Sequence, residues 1–587
     1  MIVRLANWTV GLLGLAAVLA ITPTGLSADR VPAGNDLLGL WRAKQHFGPE
    51  VRGVLTIEHQ DGEWSAEIAG RTAPVRTEGD RLSFDLANGE GSFRGRLRSG
   101  QIQGHWIQPR TVSSGSRYAS PVLFESRARG RWRGIVTPLD DEMTFYLSIR
   151  GSPDGTLAAF LRNPERNAGR FLNVEHVLFD GRLVKLVGRQ SKGASETTIA
   201  EGLYDPETGT FSLTLRGATY DFSRATAADE ARFFPRAKAP APYVYRRPPA
   251  EDDGWPVASL KDVGISDSAI ARFIQKVIDT PIDSVHSSEI HGVLIARHGK
   301  LVLEEYFHGF HREQLHDLRS AAKSLTSALT GAAAMHGWIR PSTPVYETMS
   351  ATALANLDLR RRGVTVENLL TMSSGLNCDD SDPDSPGNED TMQEQTAQPD
   401  WYRYTLELAM VRAPGEKAVY CSCNPNLLGG VLGRATGRWL PELFEGLIAQ
   451  PLQIRRYAMN LTPTGDAYMG GGVQLRPRDF MKLGQVMLDG GTWKNRRVVS
   501  GDWARKSVSP LYELGGIHYG YLWWVTEYPY KDRKVRAFFA GGNGGQIVMG
   551  IPELDLVIAF YGGNYSDPVL FVPQRIYVPD FILPAVN

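Results

Sequence analysis

A serine and a lysine three residues apart, Ser320 and Lys323, are the residues of this sequence best suited to chemistry. In a helix, residues i and i+3 share a face, so the lysine side chain would lie beside the serine hydroxyl. A buried lysine that has lost its charge can accept the hydroxyl proton and make the serine a nucleophile. Backbone N–H groups at the helix start would stabilise an oxyanion. The pair predicts acyl-transfer chemistry, although Ser-x-x-Lys alone is also common on solvated helix faces.

Two further segments contain residues that could complete such a site. One spans residues 414–422 and precedes a Leu/Gly-rich helical pattern; the other spans residues 540–546 and leads into an apolar strand. The candidates are Tyr420 and Ser422 in the first segment and Gly542, Asn543 and Gly544 in the second. Glycines in a strand let a substrate approach the backbone closely because they carry no Cβ. We therefore expect the glycine-rich strand to lie along the substrate.

The order of these motifs resembles that of the serine β-lactamase-like hydrolases: class C β-lactamases, DD-peptidases, esterases and aminohexanoate-oligomer hydrolases. The resemblance extends over roughly the last 330 residues, from residue 255 to residue 587. Its landmarks are residues 317–324, 367–376, 414–422, 470–472, 478–480, 520–524 and 540–546. It implies an α+β domain of the β-lactamase/transpeptidase type, in which helices flank an antiparallel sheet and a helical subdomain is inserted.

The resemblance also implies a role for each matching residue. Ser320 would be the acylated nucleophile and Lys323 its base. Tyr420 would relay a proton to the leaving group and later help to activate the deacylating water. The oxyanion hole would use the backbone N–H groups of Ser320 and of the residue that follows Gly542, which is Asn543.

Two departures from the family pattern concern the substrate side. Ser422 stands where the family has asparagine, so one amide contact to substrate would be lost or shortened. Ala540 stands where the family has a cation that binds the substrate carboxylate. The loss of such a charge-assisted hydrogen bond, worth roughly 1.5–3 kcal/mol, would weaken penicillin-like recognition about tenfold or more. Lys534 and Arg536, just upstream, remain possible substitutes for that cation.

These features predict an exported serine hydrolase that cleaves an ester or amide bond of a small molecule and needs no cofactor or metal. One alternative is a non-catalytic binding protein on a penicillin-recognising scaffold, because both departures affect substrate contacts. A true β-lactamase or DD-peptidase is the other alternative. The substrate itself cannot be read from the sequence, because loops set the pocket and a fold does not fix a function.

Length, composition and a proline-rich segment divide the chain into several parts. Its 587 residues exceed what one core supports, and the 64 basic and 64 acidic residues balance, which argues against nucleic-acid binding. The predicted parts are a signal peptide at 1–28, β-rich domains at 29–125 and 126–232, a proline-rich linker at 233–256 and the hydrolase domain at 257–587.

The first half of the chain is predicted to be all-β. Apolar residues alternate with polar ones, and Asp-Gly turns recur between the alternating segments. The motif at residues 39–42 returns in similar form at 130–133, so two tandem meander sheets or small lipocalin-like barrels would account for the pattern. The first half of the chain would either contact cell wall or glycan or serve as a structural lid or spacer.

The first 28 residues have the features of an export signal. Arg4 precedes an apolar run, and small residues follow up to Ala28. The run is too short to span a bilayer, so we expect cleavage and a periplasmic or secreted protein, with an uncleaved membrane anchor as the alternative.

Three cysteines, Cys378, Cys421 and Cys423, fit one disulfide and one free thiol in an exported protein. The predicted bridge joins Cys378 to Cys421, with Cys423 as the competing partner. An acidic stretch at residues 379–390 follows Cys378, and we expect it to form a polar loop at the rim of the active-site cleft.

A group of histidines, His308, His311 and His316, could in principle bind zinc. Their spacing does not give the helical i, i+4 pair of many zinc sites, and the segment is typical of a loop. We therefore predict that these histidines lie on a solvated loop.

Overall fold

The structure is a computed structural model that describes residues 34–191 and 193–587. The predicted signal peptide, residues 1–28, lies outside the described residues. No helix in the described ranges is long and apolar enough to cross a bilayer.

The described residues of the N-terminal half form seventeen β-strands and two short α-helices. The strands are β1 (Gly39–Gly48), β2 (Gly53–Gln60), β3 (Glu63–Ile68), β4 (Arg71–Pro74), β5 (Arg76–Glu78), β6 (Arg81–Asp85), β7 (Ser92–Arg98), β8 (Gln101–Ile107), β9 (Arg117–Ala128), β10 (Arg131–Val136), β11 (Asp141–Gly151), β12 (Leu157–Arg162), β13 (Val174–Phe179), β14 (Leu183–Gly188), β15 (Thr197–Asp205), β16 (Thr210–Leu215) and β17 (Ala218–Arg224). The helices are α1 (Ala168–Leu172) and α2 (Ala227–Phe233).

These strands form an open sheet and a closed barrel. The sheet has the strand order β4-β3-β2-β10-β9-β8-β7-β6-β5, and the barrel has the order β1-β11-β12-β13-β14-β15-β16-β17. The all-β prediction for this half is confirmed, because every long element in it is a strand. Alternating residues fill each interior: Trp41, for example, packs against Phe211 inside the barrel, with ring centroids 4.8 Å apart.

The strand pairing differs from two tandem repeats. β1 pairs with β11 and β17 and so closes the barrel, although it lies in the predicted first unit at 29–125. β10 belongs to the open sheet, although it lies in the predicted second unit at 126–232. The open sheet is therefore inserted between the first and second strands of the barrel. Periodicity within each strand cannot reveal such long-range pairing, and for this reason the boundary at 125/126 does not follow the sheets.

The described residues of the C-terminal half form thirteen strands and eleven α-helices. The strands are β18 (Ile290–Arg297), β19 (Lys300–Tyr306), β20 (His316–Asp317), β21 (Tyr457–Leu461), β22 (Val473–Leu475), β23 (Thr492–Trp493), β24 (Arg496–Arg497), β25 (Tyr512–Leu514), β26 (Ile517–Tyr519), β27 (Trp524–Tyr530), β28 (Arg533–Gly542), β29 (Gln546–Ile551) and β30 (Leu556–Gly562). The helices are α3 (Asp267–Ile278), α4 (Lys323–Met335), α5 (Val345–Thr348), α6 (Thr352–Leu357), α7 (Val366–Leu370), α8 (Glu389–Gln393), α9 (Trp401–Glu407), α10 (Cys423–Thr436), α11 (Leu440–Phe444), α12 (Pro477–Leu488) and α13 (Gly501–Ser507).

An antiparallel sheet with the order β19-β18-β30-β29-β28-β27-β26-β25 separates two hydrophobic cores. Successive residues of β18 point to opposite faces, so Val293 joins the core beneath α3 while Leu294 joins the core that contains α4, α10 and α12. The predicted combination of helices and sheet in the C-terminal domain is confirmed. The proline-rich segment before it contains no helix or strand between residues 240 and 250.

Strand β9 joins the two halves of the molecule. It is twelve residues long, and its first residues pair with β21 through Ala119 and Met459 and through Tyr118 and Asn460. β21 pairs with β22, and β22 pairs with β20, which ends at Asp317. A continuous ladder of hydrogen bonds therefore runs from the N-terminal sheet to the segment just before Ser320.

Candidate active site

Ser320 and Lys323 lie together at the start of the predicted helix. A 3₁₀ turn at Arg319–Ala322 precedes α4, which begins at Lys323. The Lys323 ammonium donates a hydrogen bond to Ser320 Oγ at 2.9 Å. Arg319 adopts a left-handed backbone conformation, with φ of 48°, that residues other than glycine rarely occupy. The turn thus presents a half-buried Ser320 rather than continuing a regular helix through it.

Lys323 is almost completely buried but is not held neutral. Its side chain is 1% exposed, and Nζ also donates to the Gly470 carbonyl oxygen at 2.5 Å. Burial lowers the pKa of Lys323, but nearby Tyr420 and the carboxyl groups of Glu389 and Asp380 outweigh it and raise that pKa above its ordinary value. The expectation that burial alone would remove the charge is therefore wrong. The surroundings of Lys323 therefore favour its ammonium form.

Tyr420 occupies the position expected of a partner to this pair. The Lys323 Nζ lies 5.1 Å from the centre of the Tyr420 ring. The Tyr420 ring stacks on Trp524, with centroids 5.6 Å apart and planes inclined by 21°. Tyr519 contacts the edge at 6.4 Å. This aromatic packing restricts the phenol to the neighbourhood of Lys323, because the ring has few alternative rotamers.

Ser422 is not open to a substrate. Its side chain is fully buried, and both its backbone N–H and its hydroxyl donate to Asp380 Oδ2, at 2.8 and 2.6 Å. Asp380 also accepts a hydrogen bond from the Glu389 backbone N–H through Oδ1 at 3.1 Å. The residue predicted to contact substrate therefore orients a carboxylate instead.

Two acidic side chains close to Lys323 were missed by the sequence analysis. The pKa of Asp380 is raised to about 6, mainly by burial and secondly by the nearby charge of Glu389. The Glu389 carboxylate in turn accepts the Tyr468 hydroxyl at 2.5 Å. The signal available was the acidic stretch at 379–390, which was interpreted as a solvated rim. No spacing rule indicates that two of its members point inward.

The predicted disulfide is confirmed, and it fixes this acidic segment to the Tyr420 segment. Cys378 is bonded to Cys421, with Cα atoms 5.6 Å apart, and Cys423 is a buried free thiol. The Asp380 N–H also donates to the Tyr420 carbonyl oxygen at 3.0 Å. The disulfide and this backbone hydrogen bond thus hold Asp380 and Tyr420 in a fixed position relative to each other.

Strand β28 lies directly against the nucleophile turn. A Cβ added at Gly542 would come within 2.4 Å of the Leu318 carbonyl oxygen and 2.9 Å of the Ala321 nitrogen, closer than real Cβ contacts. Only glycine fits without a shift, so the predicted reason for glycine here is refined: the missing Cβ makes room for the turn that carries Ser320. Asn543 follows at the exposed end of the strand, where its Oδ1 accepts the Ser566 N–H at 2.6 Å.

Gly544 completes the hairpin that follows. It has a φ of 95°, and a side chain there would collide with the Tyr565 ring at 2.6 Å. The Gln546 side chain closes the same turn, donating to the Gly562 carbonyl oxygen at 2.7 Å. The glycine-rich segment is therefore a tightly packed hairpin that lies beside Ser320.

The upstream cations do not replace the one missing at Ala540. Lys534 and Arg536 lie on β28, eight and six residues before Gly542. At roughly 3.3 Å per residue they are about 26 and 20 Å from it. Both are exposed, and Lys534 pairs with Glu527 at 3.5 Å.

The prediction of a solvated histidine loop is wrong for two of its three members. His308 and His316 are 4% and 3% exposed, and burial lowers the pKa of each to about 3. His316 lies 2.9 Å from Nδ1 of His291, which the sequence analysis did not single out. His311 alone is exposed. His308 packs against the end of α2, with hydrogen bonds to the carbonyl oxygens of Phe233 and Pro235, and the local sequence does not record that contact.

Comparisons with known proteins identify relatives of the C-terminal half. Residues 277–562 match the family model described as Beta-lactamase. A stretch of 226 residues is 30% identical to a 6-aminohexanoate-dimer hydrolase of Paenarthrobacter ureafaciens, covering 37% of this chain and 56% of that protein. The chain thus spans little more than half the length of this relative.

Solved structures also resemble this half of the chain. A family VIII carboxylesterase matches with 15% identity and a TM-score of 0.42, over 57% of this chain and 100% of that one. A penicillin-binding protein homologue from Caulobacter crescentus matches with 15% identity and a TM-score of 0.41, over 52% of this chain and 94% of that one.

Proposed function

We propose that the protein is a serine hydrolase of the beta-lactamase family, whose model matches residues 277–562, and that it cleaves ester or amide bonds through an acyl-enzyme on Ser320. The observation that carries the proposal is the 2.9 Å hydrogen bond between Lys323 Nζ and Ser320 Oγ in a site where Lys323 is buried. A hydroxyl within hydrogen-bond reach of a base is the arrangement that nucleophilic catalysis needs.

The proposed reaction has two covalent steps. Neutral Lys323 accepts the Ser320 proton as Oγ bonds to the substrate carbonyl carbon, and the carbonyl becomes an oxyanion held by the N–H groups of Ser320 and Asn543. The bond to the leaving group then breaks, and Tyr420 passes the proton to that group. Water attacks the acyl-enzyme, Tyr420 or Lys323 takes its proton, and Ser320 is released with the acid product.

The resting charge on Lys323 sets the pH at which this chemistry runs. Because the pKa of Lys323 is raised, the neutral form that can act as a base is a minority at neutral pH. We therefore propose that kcat/KM increases with pH on the alkaline side of neutrality. Glu389 and Asp380 would control the pH at which kcat/KM rises, because their charges stabilise the ammonium form.

The proposed substrate is a small ester or amide rather than a β-lactam. Position 540 carries alanine, and the cations upstream on the strand are too distant to bind a carboxylate beside Ser320. A charge-assisted hydrogen bond contributes roughly 1.5–3 kcal/mol, so its loss matters for penicillins and not for neutral esters.

A substrate screen tests the proposal. Wild type and Ser320→Ala would be assayed against p-nitrophenyl esters, D-amino-acid amides and the chromogenic cephalosporin nitrocefin. We expect hydrolysis of at least one ester or amide by wild type alone, with weak nitrocefin turnover. If neither protein hydrolyses anything, the alternative of a non-catalytic binding protein is favoured. If nitrocefin is the best substrate, a true β-lactamase is favoured.

We also propose that the protein is exported, with its first 28 residues removed. The support is the short apolar run that ends in small residues at Ala28, together with a disulfide, which forms in oxidising compartments. Fractionation and N-terminal sequencing of the protein from its own host would test this. Full-length protein in the cytoplasm would contradict it.

A further inference from the structure

A cleft of about 1010 Å³ lies where the open sheet, the barrel and the hydrolase domain meet. Its lining includes the outer face of β9 and β10, one end of the barrel and the hydrolase segments 308–317 and 455–457. The cleft is larger than most small-molecule sites require. It reaches Asp317, three residues before Ser320, but Ser320 does not line it.

One wall of the cleft is a row of exposed apolar side chains. Val54, Ile135 and Leu123 are 41%, 67% and 58% exposed. Ile135 pairs directly with Val54, and Leu123 lies opposite Ile135 on the other neighbouring strand, because Gly134 pairs with Phe124. A cross-strand row of apolar side chains on the solvent-facing side of a sheet is unusual, since that side normally carries polar residues.

The cleft also has cations without acidic partners. Among the described residues, no carboxylate lies within 4.0 Å of the guanidinium groups of Arg133, Arg166 or Arg232, all of which line the cleft. The lining acids are mostly neutralised by a cation within 4.0 Å: Glu125, Asp140, Glu142, Glu313 and Asp317. Three guanidinium groups without a carboxylate partner therefore face the cavity, although the lining as a whole contains seven Lys or Arg residues and seven Asp or Glu residues.

The two remaining acids in the lining, Asp141 and Glu165, do not pair with these three arginines. Asp141 accepts hydrogen bonds from the Ser113 backbone and side chain. Glu165 accepts from the Asn163 amide at 2.6 Å, and burial raises the pKa of Glu165 to about 7, so part of its charge is lost at neutral pH. Neither carboxyl group contacts an arginine of the cleft within 4.0 Å.

Arg166 is one of the three unpaired cations, and its charge acts on a residue of the hydrolase domain. It is half-buried on the barrel loop after β12, which docks on the hydrolase domain through a hydrogen bond from Asn167 to the Tyr565 carbonyl oxygen at 3.0 Å. Its charge and that of Arg319 both act on the Tyr565 phenol. The Tyr565 ring in turn lies against Gly544.

We propose that this cleft binds a small amphiphilic carboxylate, with the carboxylate on Arg166 and the apolar body along the row of Val54, Ile135 and Leu123. The ligand needs both a charged and an apolar part. Guanidinium groups form strong paired hydrogen bonds with carboxylates, and the exposed apolar row is stabilised when an alkyl or aryl group covers it. The site combines residues of the N-terminal half with the hydrolase domain. It gives that half a binding role in place of a spacer role.

Calorimetric titration of full-length Ser320→Ala protein with decanoate tests the proposal independently of hydrolysis. Decanoate is expected to bind, whereas acetate, which lacks the apolar body, and decyltrimethylammonium, which carries the wrong charge, are not. In the same background, Arg166→Gln and Ile135→Asp are each expected to weaken decanoate binding by about tenfold or more. Arg166→Lys should retain much of the affinity.

Two matched controls carry the same chemical changes outside the cleft. Arg182→Gln alters an exposed arginine of the barrel, and Leu203→Asp alters an apolar side chain that is 57% exposed. Both are expected to leave decanoate affinity unchanged, and circular dichroism would show that all variants fold. Absence of decanoate binding, equal affinity in Arg166→Gln and Arg182→Gln, or equal binding of decyltrimethylammonium would each overturn the proposal.

Discussion

At the scale of single residues, the site combines a pair that the sequence predicts with charges that it does not. Ser320 and Lys323 were identifiable because a helical turn brings residues i and i+3 together. The state of Lys323 depends on Asp380 and Glu389, which lie more than fifty residues away in the chain. Electrostatic partners that meet only in the folded protein leave no local pattern, so the resting charge could not be predicted.

Replacing the proposed base should abolish turnover while preserving the fold. Lys323→Met keeps the length and apolar stem of the side chain but removes the amine that contacts Ser320 Oγ. We expect kcat for the best ester substrate to fall by about 10²–10⁴, the range for loss of general acid–base catalysis. Lys300→Met, at an exposed lysine, is the control and should retain activity. Unchanged kcat in Lys323→Met would contradict the assigned role.

Asp380→Asn should shift the pH dependence of hydrolysis. Removing this carboxylate removes one of the charges that raise the pKa of Lys323. The neutral base then forms at lower pH, so the rising limb of kcat/KM should move toward neutrality. A full pH–rate profile of both proteins measures the shift. An unmoved limb would show that Asp380 does not control the charge of the base.

The same substitution should stabilise the protein at neutral pH. The folded-state pKa of Asp380, about 6, is higher than its ordinary value of 3.8, so folding favours the protonated form. The resulting stability is present below pH 3.8 and is lost as pH rises through 6. Asp380→Asn should therefore increase the free energy of unfolding by about 1–2 kcal/mol at pH 7.5 but not near pH 4. Urea denaturation at both pH values tests this.

At the scale of secondary-structure elements, β28 and the nucleophile turn depend on a single glycine contact. Gly542→Ala would place a Cβ within 2.4 Å of the Leu318 carbonyl oxygen and 2.9 Å of the Ala321 nitrogen, so the backbone would have to shift. We expect kcat/KM to fall at least about tenfold, because small displacements of reacting groups are costly. In Gly541→Ala the new Cβ would meet side chains rather than backbone, the Phe539 ring at 3.2 Å and the Trp524 ring at 3.5 Å. Similar losses in both variants would argue against the backbone contact.

The disulfide should stabilise the protein and keep the acidic segment on the site. Cys378 and Cys421 are separated by 43 residues, a loop for which chain entropy predicts about 4 kcal/mol of stabilisation. Cys378→Ala is expected to lower the melting temperature and to reduce activity by displacing Asp380 from Tyr420. Cys423→Ser leaves the bridge intact and should change both much less. Equal effects of the two substitutions would contradict this.

Prediction from the sequence worked best for elements with strong local signals. The Leu/Gly-rich helical pattern that follows residues 414–422 is present as α10. The apolar strand expected after residues 540–546 is present as β29. The arrangement of the N-terminal strands could not be predicted in this way, because β1 finds its partners about a hundred residues later in the chain.

At the scale of the whole molecule, strand pairing and a buried ion pair join the two halves, in addition to the linker between them. β9 adds directly to β21 of the hydrolase domain. Arg162 of the barrel also pairs with Glu289 of the hydrolase domain at 2.7 Å, and both side chains are 2% exposed. Burial alone would raise the pKa of Glu289, but Arg162 holds it below its ordinary value. The halves are therefore expected to unfold together.

Breaking the buried pair should destabilise the entire protein. Arg162→Met leaves Glu289 buried without a counter-charge, and such losses cost about 3–5 kcal/mol. The double variant Arg162→Met/Glu289→Leu removes both charges and should regain most of that stability. Guanidinium denaturation monitored by fluorescence and by activity would show one transition for each protein. Separate transitions for the two halves would contradict their structural coupling.

The central claim is that Ser320 is a nucleophile activated by its folded surroundings, and covalent labelling tests it most directly. Folded wild-type protein would be treated with a fluorophosphonate and its peptides analysed by mass spectrometry, with Ser320→Ala and denatured wild type as controls. We predict a single adduct on the peptide that contains Ser320, in folded wild type only. Absence of that adduct while the protein remains folded would contradict the proposed acyl-enzyme mechanism.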